Sequence, residues 1–367
     1  MAGNEVVLLG CGDVAPVHEP VGPYSTLARP ILATGDIRFG QCERIYSDRG
    51  ALQPHGSAGS RLKPHLAEVF SDCGFNVLSV AGNHAMDYGE EALLDMIAML
   101  RKKGMQVIGG GRNLEEARQP AVIEHNGVRL AFLAYCSILQ EGHEAGPNKA
   151  GIAPLRVHTS YKPYEYQPGV PPRIITVPYE EDLAGMVEDI AKAKKAVHVV
   201  IVSLHWGVHF VPRMIAEYQP VVAKAAFDAG ADLILGHHTH VPKAIEIQNG
   251  KVCFYSLGNF IISTKSGVKP GFAERMRPYG ITPDPDEYPL NPHGADSHRS
   301  LIAKAVLSRE GVKKVSFLPV QIDKQLRPEV LTRNSPRFDD AVKFMDWVSE
   351  GYQHKFTVDG DEVIVKN

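Results

Sequence analysis

Five short apolar, β-rich runs punctuate this chain, and each is followed within a few positions by a side chain able to bind a metal ion. Val6-Val7-Leu8-Leu9 precedes Asp13, Ile37-Arg38-Phe39 precedes Glu43, and Val77-Leu78-Ser79-Val80 precedes Asn83 and His84. Val199-Val200-Ile201-Val202 precedes His205, and Leu233-Ile234-Leu235 precedes His238 and His240. Between the runs, helical patterns predict helices at Leu62 to Cys73, Glu90 to Lys103, Glu180 to Ala193 and Ile215 to Ala229, with a last one from about Asp339 to Ser349. Strands alternating with helices indicate an α/β protein. Parallel strands that point their C-terminal ends at one crevice would bring the five sets of polar residues together.

Two Asn-Gly pairs interrupt the alternation. Asn126-Gly127 lies between Ala121-Val122-Ile123 and Val128 to Tyr135, and Asn249-Gly250 lies between Ala244 to Ile247 and Val252 to Tyr255, so each predicts a hairpin and the sheets are mixed. Ala303 to Ser308 and Lys314 to Leu318 predict a third. Two segments carry little regular pattern: Gly142 to Pro178, rich in Pro and Tyr, and Ser266 to Ser300, rich in Pro, Gly and His. Within one domain spanning 1–367, such insertions are expected to wall a substrate pocket, with Tyr161, Tyr164, Tyr166, His293 and His298 as its side chains.

Composition narrows the class. The 367 residues are 44% hydrophobic and 22% charged, enough for a large buried core. A formal charge of −3, with Lys and Arg scattered, argues against nucleic acid as a partner. The start, Met1-Ala2-Gly3-Asn4-Glu5, runs into a strand without a basic region, apolar span or cleavage site, which predicts a cytoplasmic protein without a membrane anchor. The five cysteines are widely spaced and odd in number, so neither a disulfide framework nor a zinc ribbon is expected.

The densest chemistry is Gly236-His237-His238-Thr239-His240, where two imidazoles two positions apart can hold one or two ions; His237 is expected behind them. Gly82-Asn83-His84 sits at a strand-to-helix turn, where an amide ligates without adding charge and the neighbouring imidazole is free to move protons. Carboxylates, an amide and imidazoles together suit a borderline divalent cation, Mn, Zn or Fe, one ion or two.

These pieces in order resemble the CapA-like branch of the metallophosphoesterase superfamily. The matching segments are Gly12-Asp13, Gly40-Gln41-Cys42-Glu43, Gly82-Asn83-His84 with Asp87-Tyr88-Gly89, His205-Trp206-Gly207, Gly236-His237-His238-Thr239-His240 and Tyr255-Ser256-Leu257-Gly258-Asn259-Phe260, within residues 5 to 262. The resemblance implies a four-layer α/β/β/α sandwich of two mixed sheets. It also implies Asp13, Glu43, Asn83, His205, His238 and His240 as metal ligands, with His84 as the acid/base. The chain departs from the family pattern at Gln41-Cys42, at Ala15 where the wider superfamily has His, and at His209, which replaces a common Glu and is a second candidate for catalysis or ligation. A metal-dependent hydrolase of an ester, amide or phosphoester is the leading expectation, with a small-molecule or peptide-like substrate. The alternatives are a metal-dependent epimerase or related acid/base enzyme, and a non-catalytic capsule or poly-γ-glutamate binding protein.

Overall fold

A computed structural model describes residues 5–264 and 271–366; residues 1–4, 265–270 and 367 lie outside it, including the beginning of the second irregular segment. Two mixed sheets stack face to face. The first runs Phe356–Asp359, Glu362–Val365, Gly311–Ile322, Arg299–Ser308, Glu5–Ala15, Ile37–Cys42, Val77–Ser79 and Gln106–Ile108, with Asn259–Ile262 also paired to Glu5–Ala15. The second runs Ile245–Gln248, Lys251–Phe254, Leu233–His237, Val199–His205, Val128–Cys136 and Ala121–His125. All five strands read from the apolar runs form, and their pairings with one another are parallel.

Burial explains the unbroken apolar runs. Val199 to Val202 are fully enclosed because one face of their sheet meets the first sheet and the other meets helices. Between the sheets, the Phe39 and Phe132 rings stack at 6.3 Å. Helices Glu180–Lys194 and Tyr218–Ala229 cover the outer face of the second sheet through Met186, Ile190, Val222 and Phe227. Helix Gly89–Lys102 packs Leu93, Met96 and Leu100 beside the first sheet. The layers are therefore helix, sheet, sheet, helix. At about 25 cal/mol per Å² this shared burial is the dominant stabilising term.

Local chemistry sets most boundaries. Asn126 (φ 49°) and Asn249 (φ 51°) adopt the left-handed conformation that the two-residue hairpins require. Tyr218–Ala229 begins three residues later than its pattern suggests and ends on Gly230 at φ 117°. The helix expected over Leu62 to Cys73 is corrected: Arg61–Leu62 is a short strand, Pro64–Ala67 a 3-10 turn, and only Glu68–Asp72 is α-helical. Pro64 lacks the N–H that would extend the helix backwards. The segment Gly142 to Pro178 is also more regular than expected, because Val157–Lys162 and Arg173–Pro178 form an antiparallel hairpin.

Candidate metal centre

Asp13 stands where the first strand loses register with both neighbours. The ladder slips between Gly10 and Asp13 on the Ile37–Cys42 side and between Asp13 and Val14 on the Asn259–Ile262 side. Such a slip re-aims a side chain at a strand end. Gly12 makes it possible, since a Cβ there would lie 2.0 Å from the Gly258 carbonyl oxygen. The Asp13 N–H donates to that oxygen at 3.1 Å, and the carboxylate turns into the space between the sheets.

His205 is the meeting point of the two sheets. Its Nε2 lies 2.8 Å from Asn83 Oδ1, 3.2 Å from His238 Nδ1 and 3.7 Å from Glu43 Oε2. Three acceptor-type atoms thus converge on one ring nitrogen that offers at most one proton. Asp13, Glu43 and His205 each place a ligand atom within 4.8 Å of the others. His240 closes the ring, with Nδ1 3.6 Å from Asp13 Oδ2 and Nε2 3.7 Å from Glu43 Oε1. His237, expected behind the others, lies fully buried with Nδ1 3.6 Å from Asp13 Oδ1.

The residues fit a bound cation. Asp13 Oδ1, both Glu43 carboxylate oxygens, His205 Nδ1 and both His237 nitrogens are buried without a hydrogen-bond partner. Burying charged or polar groups unpaired costs several kcal/mol each. The 3.7 Å that separates the Glu43 oxygens from His205 Nε2 and from His240 Nε2 is too long for a hydrogen bond, yet close to the roughly 3–3.5 Å that separates two donors bound at about 2.1 Å to one ion. Burial, reinforced by Asp13, pushes the Glu43 carboxyl well above the usual range. Burial acts the same way on Asp13, but His237, His240 and His205 outweigh it and hold that carboxyl low. Burial together with the His237, His240 and His84 charges takes His205 down to about 3, against the pull of Asp13. A neutral His205 imidazole and an ionised Asp13 are the protonation states a metal requires, and Glu43 would give up its proton to a bound cation.

The His238–His240 turn does not continue its strand. His238 at φ 90° and His240 at φ 59° occupy the left-handed region, which non-glycine residues adopt at a cost of about 1–3 kcal/mol. That geometry lets the His238 N–H donate to Asp13 Oδ2 at 3.2 Å while its ring faces His205. The sharing of a side by His238 and His240 therefore comes from the turn and not from strand alternation.

Two further imidazoles border the centre. His84 is partly open to solvent, and its Nδ1 lies 2.7 Å from the buried Asp87 Oδ2. The His209 ring sits 4.0 Å from that of His238 and 5.3 Å from that of His240, and burial with the His240 and His205 charges keeps it well below its ordinary pKa. Ala15 pairs with Ile262 and brings no ligand. All five cysteines are buried and free, and Cys42 donates to the Arg44 carbonyl.

The irregular segments divide. His293 stacks on Phe210 at 5.1 Å, and Phe210 on His240 at 5.6 Å, so the described part of the second segment borders the centre. His298 is buried behind it, with Nε2 on the Asn291 carbonyl and its ring on Tyr288. Tyr161, Tyr164 and Tyr166 instead stand in solvent, at 69%, 76% and 104% exposure, while Arg173 and Thr176 on the second strand of their hairpin hydrogen-bond to Glu217 and Tyr218. Asn259 is the participant that residue-by-residue reading missed. It was visible only as part of the Tyr255-to-Phe260 motif, and its Oδ1 meets His240 Nδ1 at 2.8 Å.

The chain is 34% identical over 234 residues to the PGA biosynthesis protein CapA of Bacillus subtilis, covering 63% of this chain and 54% of that protein. It is 29% identical over 203 residues to the capsule biosynthesis protein CapA of Bacillus anthracis, covering 54% and 43%. The chain thus spans about half the length of these curated relatives. Among solved structures, a hypothetical protein from Thermus thermophilus aligns at a TM-score of 0.46 and 16% identity, covering 86% of this chain and 99% of that one. No helix among the described residues is long and apolar enough to cross a membrane. The family model described as bacterial capsule synthesis protein PGA_cap matches residues 11–264, and the chain belongs to that family.

Proposed function

We propose that this protein is a metal-dependent hydrolase of an ester, amide or phosphoester. Asp13, Glu43, Asn83, His205, His238 and His240 would hold one or two divalent ions. The observation that carries the reading is the convergence of Asn83, Glu43 and His238 on His205 Nε2, an acceptor-rich, donor-poor cluster that a cation satisfies. A bound ion of this kind supplies Lewis-acid polarisation of a substrate oxygen or of water. His84 supplies proton transfer: Asp87 accepts from its Nδ1, which fixes the tautomer and leaves Nε2 free. General acid/base groups of this kind contribute about 10²–10⁴ in rate. One relative is named a PGA biosynthesis protein and the family resemblance implies poly-γ-glutamate, so γ-glutamyl amides belong in the substrate set beside phosphoesters, lactones and peptides.

The test joins elemental analysis to a hydrolysis screen over those four substrate classes. Purified protein should carry a transition metal, and the His238→Ala/His240→Ala double variant should lose most of it while its circular dichroism stays that of the wild type. Undiminished metal in a folded double variant would reject the ligand set. A metal-loaded protein inert on every class would reject hydrolysis.

A further inference from the structure

Arg44 follows Glu43 directly and, as a permanent cation, cannot itself ligate a metal. Its Nη1 donates to the Ser263 carbonyl at 2.9 Å, a single bond from a side chain that carries five N–H donors. Two other partly buried arginines are paired bidentately with carboxylates, Arg118 with Asp189 and Arg156 with Asp182. Arg44, also partly buried, has no carboxylate at ion-pair distance among the described residues; the carboxylate that acts on it is its chain neighbour Glu43, at longer range.

Its position follows from strand order. Ile37–Cys42, Glu5–Ala15 and Asn259–Ile262 lie side by side and parallel. Arg44 leaves the end of the first and Ser263 the end of the last, so the guanidinium bridges the C-terminal end of the middle strand, which carries Asp13. Ser263 is itself fixed, its Oγ accepting from the Val17 N–H at 2.8 Å. The adjoining wall is the stack of His240, Phe210 and His293, with Phe272 against His293. After burial and the His240 charge, Arg275 and Arg44 help to hold His293 at about 3, which is consistent with a cation close to that ring.

We propose that Arg44 receives an anionic group of the substrate, a carboxylate or a phosphate, and holds it beside the metal centre against the Phe210–His293 wall. The proposal rests on the hydrolase reading and adds a substrate class to it: molecules bearing negative charge close to the bond that is broken. A guanidinium suits the task because its planar fork matches carboxylate and phosphate oxygens. Burial of the guanidinium is costly and Glu43, beyond ion-pair distance, offsets it only in part, so a bound anion lowers that cost.

The test is calorimetric titration of manganese-loaded protein with glutarate and, separately, with inorganic phosphate. Wild type, Arg44→Gln and Arg44→Lys are compared after metal content and thermal melting have been measured. Wild type should bind at least one of the two anions. Arg44→Gln should bind it about 10- to 100-fold more weakly with metal retained, and Arg44→Lys should fall between. Preference for glutarate identifies a carboxylate site, and preference for phosphate a phosphoester site. Equal affinity in wild type and Arg44→Gln would overturn the proposal, as would failure of wild type to bind either anion; should Arg44→Gln not fold, Arg44→Lys decides on the same criterion. Binding is read without turnover. Arg44-dependent binding by a protein that hydrolyses nothing keeps this inference and rejects the hydrolase, whereas active protein with Arg44-independent binding does the reverse.

Discussion

Asn259 fixes the ring of His240. Its Oδ1 lies 2.8 Å from His240 Nδ1, and its Nδ2 donates to the carbonyls of His240 and Ser297. Two carbonyl acceptors on Nδ2 settle the amide orientation, so Nδ1 of His240 is the protonated nitrogen and Nε2 is left facing Glu43 at 3.7 Å. Partners of this sort orient ligands, and their loss typically costs 10–100-fold in metal affinity. Asn259→Ala should therefore weaken metal binding by about that factor in a competition titration with a chelator. Unchanged affinity would mean that His240 is held without Asn259.

In the proposed hydrolase, His84 and Asp87 would separate proton transfer from metal binding. His84→Ala should lower turnover by about 10²–10⁴ on whichever substrate the screen identifies, with metal content unchanged. Asp87→Asn should lower it less, because the ring remains and only its tautomer and orientation are released. Loss of metal from His84→Ala would show that the ring is a ligand after all.

The exposed hairpin supplies a contrasting pair. Tyr164→Ser/Tyr166→Ser should leave kcat and KM within error of wild type, since both rings stand in solvent. Phe210→Ala should raise KM, since Phe210 lies between His240 and His293. A raised KM in the tyrosine variant would restore the hairpin to the pocket that the sequence suggested for it.

Lys243 gives the chain a pH-dependent stability term. Its side chain is fully enclosed, donates to the Val211 and Met214 carbonyls, and burial brings its pKa down to about 7. Between about 7 and 10.5 the unfolded chain holds a proton that the folded chain has released, so stability rises with pH through that window. Below about 7 both states are protonated and the cost of burying the charge is fully present. In urea unfolding compared near pH 6 and near pH 9, wild type should gain on Lys243→Met as pH rises. A stability difference between the two that does not change with pH would show that the ammonium stays charged in the fold.

Much of the centre was legible in the chain itself. Apolar runs such as Val199 to Val202 report burial on both faces, and Asn-Gly pairs report left-handed turns, because both depend on residues close in sequence. The same locality kept Asp13, Glu43, Asn83, His205, His238 and His240 recognisable as polar ends of apolar strands. Other relationships join residues far apart in sequence. Asn83 follows a strand of one sheet and His205 ends a strand of the other, and they meet only because the sheets stack with these strand ends together. His237, set behind its neighbours by sequence, reaches Asp13 because the strand delivers it inward. The tyrosines of 161–166, aromatic enough to read as a pocket wall, stand in solvent because hairpin pairing turns their segment away from the core. Hydrogen-bonding propensity and turn preference are written locally; the partner that completes a buried polar group is decided by packing, and only the tertiary structure names it.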